Sequence, residues 1–101
     1  MTAGKENQYV NEIRDEVLLA LEKQPVRVFL FGSRARSDHN RTSDVDIGLM
    51  PRSGFDMHCI TQLKYKLETI NTPYKVEVVN FDEVSEDFKR EALKDIVLWK
   101  D

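Results

Sequence analysis

Apolar positions along the chain change period repeatedly, and each change marks an element. From about residue 7 to 23, Val10, Ile13, Val17, Leu18 and Leu21 recur at helical spacing with charges between them. Gln24-Pro25 closes this helix, because proline disfavours helix at the residue before it. Val26–Phe31 (VRVFLF) is near-continuously apolar, which predicts a strand buried on both faces and central in its sheet. Gly32 interrupts it, and Ser33–Arg36 reads as the start of a short helix. Ser37–Ser43 is polar and turn-like.

Strict alternation returns at Asp44–Met50: Val45, Ile47 and Leu49 face one way, Asp44, Asp46 and Gly48 the other. After a loop at Pro51–Gly54, Ile60, Leu63, Leu67 and Ile70 form the stripe of a second helix over about 55–70. A turn at Asn71-Thr72-Pro73 leads to a strand at Lys75–Asn80, with Val76 and Val78 on one face and Glu77 and Val79 on the other. A third helix is predicted over about 85–94, burying Phe88 and Ala92, with acidic residues at its entry. Ile96–Trp99 reads either as a short terminal strand or as a continuation of that helix. The order predicts an α/β (α+β) chain, a small mixed sheet with helices packed on one face and acidic residues on the other.

One hundred and one residues, 41% hydrophobic and 33% charged, predict one globular domain spanning 1–101. The net charge of -3 supplies no general basic footprint, so direct nucleic-acid binding is not expected. No run is apolar enough to span a membrane, and the first residues lack a signal-peptide core. The lone Cys59 excludes an intrachain disulfide and suits a reducing, cytoplasmic setting.

The chemistry concentrates in Gly32–Leu49 (GSRARSDHNRTSDVDIGL). Glycine admits close backbone approach, and free N–H groups at a helix start favour anions. Two aspartates one residue apart on a strand share a face, where paired carboxylates can hold a divalent metal ion with phosphate oxygens completing its shell. Arg34, Arg36 and Arg41 form a local basic cluster beside this stretch. His39 reads as an exposed loop residue. His58 and Cys59 lack zinc spacing, and Tyr74 and Trp99 read as core or interface residues.

Gly32-Ser33, ten residues, then Asp44-x-Asp46 resembles the signature of the polymerase-beta-like nucleotidyltransferase superfamily, and GSRAR in so short a chain resembles its minimal nucleotidyltransferase branch. The resemblance covers roughly Val26 through Trp99. It implies that Asp44, Asp46 and a third carboxylate hold Mg²⁺, with two ions expected, and that ATP is the nucleotide. Glu77, in the apolar–acid–apolar context Val76-Glu77-Val78, is the candidate third carboxylate, where the family more often has aspartate. Gly32 and Ser33 would meet the phosphates, with Arg34 and Arg36 as further nucleotide contacts. Ser37 stands where the family usually has glycine.

By the same resemblance, the chain would transfer AMP to a hydroxyl, such as a tyrosine of a HEPN-type helical partner toxin, and act as its antitoxin. A homodimer or hetero-oligomer would complete the site. Two alternatives stand beside this. One is a binding module that neutralises its partner without turnover; the other is a nucleotidyltransferase for a small molecule of the aminoglycoside kind.

Overall fold

The computed structural model describes residues 3–36 and 44–101; Ser37, His39 and Arg41 lie outside the described residues. The elements run α1 (Ala3–Leu21), β1 (Val26–Phe31), α2 (Ser33–Arg36), β2 (Val45–Pro51), α3 (His58–Glu68), β3 (Val76–Asn80), α4 (Glu86–Ala92) and β4 (Val97–Lys100). The four strands form one mixed sheet in the order β3-β2-β1-β4. β1 pairs antiparallel with both β2 and β4, and β2 pairs parallel with β3. A parallel pair needs a crossover, which α3 supplies between β2 and β3.

β1 is central, as its unbroken apolar run predicts. On one face Val26, Val28, Leu30, Val45, Ile47, Leu49 and Val78 pack against Ile13, Val17 and Leu21 of α1 and Ile60, Leu63 and Leu67 of α3. Each such side chain contributes roughly 1.5–3 kcal/mol when fully buried. Tyr74, Cys59 and Trp99 are partly buried against this core. The alternation in β2 is kept, with valine, isoleucine and leucine buried at 45, 47 and 49.

Some details differ from the sequence reading. α1 begins at Ala3 rather than near residue 7, and α3 occupies only the inner part of 55–70. The segment after α4 is the terminal strand, the first of the two readings of Ile96–Trp99, and not a continued helix: Leu93 caps α4, and Val97 and Leu98 pair with β1. The two long helices cover one face of the sheet as expected, but the short α4 lies on the other. There Phe29, Phe31 and Phe81 form a second apolar cluster with Ala92, Leu93 and Ile96 packed against it. Phe88 meets the Phe31 and Phe81 rings at 6.0 and 5.8 Å yet remains 43% exposed, not buried. A seven-residue helix at the sheet's rim covers too little area to seal its own aromatic.

Ser85 caps α4, its hydroxyl accepting from the Phe88 N–H at 3.1 Å, with Glu86 and Asp87 in the first turn. Among the described residues, no helix is long and apolar enough to cross a membrane.

Gly48 is the tightest point of the aromatic face: an added Cβ would press into the Phe29 ring and sit 2.9 Å from Phe81 Cε1. Gly48→Ala is therefore expected to lower stability by about 1–3 kcal/mol through overpacking, read as a fall in urea midpoint with unchanged m-value. An unchanged midpoint would show that the rings move aside freely.

Candidate nucleotidyl-transfer site

The candidate site lies where β1 ends and β2 and β3 begin. Phe31 is the last residue of β1 and stands opposite Asp46 in the antiparallel register. Gly32 follows with φ +80, a conformation L side chains rarely adopt, and its carbonyl accepts the N–H groups of Ala35 and Arg36, each at 3.1 Å. The chain thus turns straight from β1 into α2, with Ser33 as its first residue. Gly32 is also required by space: a Cβ there would lie 2.5 Å from Asp46 Oδ2. The Gly-Ser pair and the second aspartate, fourteen positions apart in sequence, meet at this point.

Across the parallel ladder Asp46 is the register partner of Glu77, so these two carboxylates project from adjacent strands on one face. Asp44, exposed just before β2, precedes Asp46 by one alternation. Asp46 is half-buried, and burial is the largest cause that lifts its carboxyl above the usual aspartate value; the negative charges of Glu77 and Asp44 lift it further, while Arg36 and Lys75 act against them. Glu77 is held by Lys75, Nζ to Oε1 at 2.9 Å, a pair exposed on both sides and worth little to stability. The hydrogen bond to Glu77 is the first cause that raises the Lys75 ammonium.

Arg34 and Arg36 part company. Arg34 is only 7% exposed, and its guanidinium carbon sits 4.2 Å from the Tyr74 ring centroid. Tyr74 in turn meets Tyr9 edge-to-face at 5.7 Å, so the stack joins α2 to α1 and to the turn before β3. Arg36 is exposed on the side where its charge reaches Asp46. Sequence reasoning missed Lys75 as a member of the site. Its position two residues before Glu77, on the same face of an extended segment, was the available signal.

Two clefts flank the carboxylates. One, of about 420 Å³, opens beside Gly32 between Phe31, Arg36, Phe88 and Ala92. The other, of about 500 Å³, runs along β3 and includes Lys75, Val76 and Glu77.

Among the described residues, no three carboxyl, imidazole or thiol groups converge as a ready-made metal cage. The donor set nonetheless suits a hard divalent cation. Asp44 and Asp46 offer oxygen donors only, and Asp46, its carboxyl raised first by burial and then by the charges of Glu77 and Asp44, would gain a counter-charge from such an ion. The missing Cβ of Gly32 leaves Asp46 Oδ2 room on that side. Glu77, register partner of Asp46, stands beside them with its Oε1 accepting from Lys75.

The sequence matches the family described as "Polymerase beta, Nucleotidyltransferase" over residues 15–101. A Methanocaldococcus jannaschii protein, designated a candidate protein adenylyltransferase, is 32% identical over 89 residues, covering 87% of this chain and 95% of that protein. The fold superposes on a solved structure designated a candidate minimal nucleotidyltransferase with a TM-score of 0.69 at 22% identity, covering 89% of this chain and 92% of the other. It superposes on a chain from a toxin–antitoxin structure with AMP-PNP with a TM-score of 0.64 at 19% identity, covering 85% and 71%. At such identities these likenesses show the fold alone, but the family match takes in every element from β1 onward and the archaeal relative aligns nearly end to end. On that ground the chain belongs to the polymerase beta nucleotidyltransferase family.

Proposed function

We propose that this nucleotidyltransferase transfers AMP from ATP to a hydroxyl group of a partner protein, a tyrosine of a HEPN-type toxin, and serves as the antitoxin of that pair in the cytoplasm. The observation that carries the reading is the contact of Gly32 with Asp46 beside Glu77, which joins a phosphate-approach turn to a carboxylate pair. The archaeal relative's designation supports a protein acceptor, and the toxin–antitoxin likeness supports a toxin as that acceptor.

Asp44 and Asp46 would hold Mg²⁺, with Glu77 completing the set once it leaves Lys75. The ion, when bound, supplies neutralisation of the charge that builds on the phosphate oxygens. The chain's own residues do the rest. The turn at Gly32-Ser33 receives the β- and γ-phosphates, with Ser33 donating its hydroxyl and backbone N–H. Arg36 lies toward the nucleotide cleft and adds positive charge there. Arg34 contributes by holding α2 in place through its stack on Tyr74.

The acceptor oxygen attacks the α-phosphorus. The new O–P bond forms as the bond from that phosphorus to the bridging oxygen breaks, and pyrophosphate leaves. The hydroxyl proton passes to the Glu77 carboxylate. A second reading, a binding module without turnover, rests on the Lys75–Glu77 pair, which occupies the third carboxylate.

Label transfer from α-³²P-ATP with Mg²⁺ in lysate of the source cell separates the two. The native chain is expected to label one protein band, and Asp44→Asn with Asp46→Asn to reduce that label to background. Unchanged label in the double variant would sink the transferase reading; partner capture without label in either chain would establish the binding module.

Glu77→Gln is expected to slow transfer on the order of 100-fold while leaving the melting temperature nearly unchanged, because it removes the proton acceptor and only a surface ion pair. Equal rates would remove Glu77 from the site.

The Asp46 shift fixes a sign for stability. A carboxyl raised in the fold binds its proton more tightly folded than unfolded, so stability falls as pH rises from the unfolded aspartate value through the folded one, and the cost stays in full above it. Asp46→Asn should therefore melt higher than the native chain at pH 7 in chelator, with the gap closing toward pH 3–4. Added Mg²⁺ should narrow the gap at pH 7 by stabilising the native chain alone. A lower melting temperature for Asp46→Asn in chelator contradicts this account.

A further inference from the structure

β3 is an outer strand of the sheet, and two main-chain bonds fix which of its groups point outward. Val45 N–H donates to Lys75 O and Phe81 N–H donates to Leu49 O, both at 2.8 Å, at the two ends of the parallel ladder. In a parallel ladder alternate residues of a strand turn both their polar groups to the neighbour. The odd-numbered residues 75 to 81 therefore serve β2, and among the described residues Val76 and Val78 turn their N–H and C=O groups to the outer edge; Asn80 turns its N–H there, while its C=O accepts from Glu83 N–H at 3.0 Å. Among the described residues, the buried side-chain Nδ2 of Asn80 has no partner. The cleft of about 500 Å³ runs along this strand, walled by Leu67, Glu68 and Ile70.

We infer that the acceptor enters as an extended polypeptide segment that adds to the sheet along the free edge of β3. This rests on the transferase reading above and names how its acceptor is held. A row of alternating donors and acceptors is matched by another extended main chain, and neither a small molecule nor a lipid supplies that repeat. A nucleic-acid strand finds no basic track, because Glu68 and Glu77 offset Lys64 and Lys75 in the cleft and the chain's net charge is -3.

The register then selects the reactive position. An added strand lies about 4.8 Å from β3, and the residue opposite Glu77 projects to Glu77's own face of the sheet. A hydroxyl side chain there stands on the face that carries Asp44, Asp46 and Glu77. Its oxygen bonds to the α-phosphorus of ATP, pyrophosphate departs, and its proton goes to the carboxylates. The nucleotide occupies the opposite cleft beside Gly32, so the two substrates approach from different sides.

The test uses the full chain, labelled with ¹⁵N, and a nine-residue probe peptide alternating valine and threonine around a central tyrosine, with lysine at each end. At millimolar peptide, amide exchange at Val76, Val78 and Asn80 should slow at least 10-fold, while Glu77 and Val79, already bonded to β2, should change little. N-methylation of the peptide at alternate amides should abolish protection for one set and spare it for the other. Absent protection, protection without alternation, or indifference to both methylated sets would overturn the inference. So would protection in the free chain that grows with its own concentration, which would make a second copy the occupant.

Label from α-³²P-ATP is followed in the same samples. Alternating protection with no label on the tyrosine upholds the edge as a docking strand and counts against the transferase reading. Label without protection, or equal labelling of N-acetyltyrosine amide, keeps the transferase and overturns the edge.

Discussion

The register between β1 and β2 is the constraint on which the rest of the molecule depends. Phe31 opposite Asp46 places the second aspartate beside the turn at Gly32, and Phe29 opposite Gly48 leaves room for an aromatic ring on the same face. A slip by one residue would carry Val45, Ile47 and Leu49 to the outer face and drive Asp44 and Asp46 into the apolar core. The register is therefore enforced by the burial of Val45, Ile47 and Leu49, and the placement of the carboxylates follows from it.

That placement opposes stability locally. Asp46 is partly withdrawn from water and set among two like charges, with Arg36 and Lys75 only partly offsetting them. A sheet end serving structure alone would carry polar groups that pair with one another. Here the charges converge, and the surrounding apolar packing of α1 and α3 holds them in place. Such locally unfavourable charge is what a site for a cation and a polyphosphate requires, because the ligand supplies the missing opposite charge.

The two arginines of the GSRAR segment show how near-identical residues acquire different work. Arg34 lies under α2, stacked on Tyr74, and ties the helix to α1 and to the turn before β3. Arg36, two residues on, is exposed and lines the cleft beside Gly32. Two steps along a helix turn by about 200°, so residues two apart point to nearly opposite sides. Lys75 has a comparable double position: it neutralises Glu77 now, and its ammonium would be free to meet phosphate once Glu77 turns inward.

Much of the fold was legible in the sequence. The strict alternation at 45–50, the unbroken run at 26–31 and the helical stripes report burial directly, because the period of apolar residues is set by local geometry. The family resemblance of the Gly-Ser and Asp-x-Asp spacing was legible for the same reason, since each half is a local motif. Long-range facts were not. Nothing local in VEV said that Glu77 would be the register partner of Asp46, that α4 would cross to the aromatic face, or that Val97–Lys100 would pair with β1. By itself the sequence determined the elements, the apolar faces and the identity of the chemical groups. Only the tertiary structure decided strand order, which carboxylates meet, which arginine is buried and which strands lie at the edges. Those depend on contacts between distant segments, whose loop-closure entropy is overcome only by burial of the whole core.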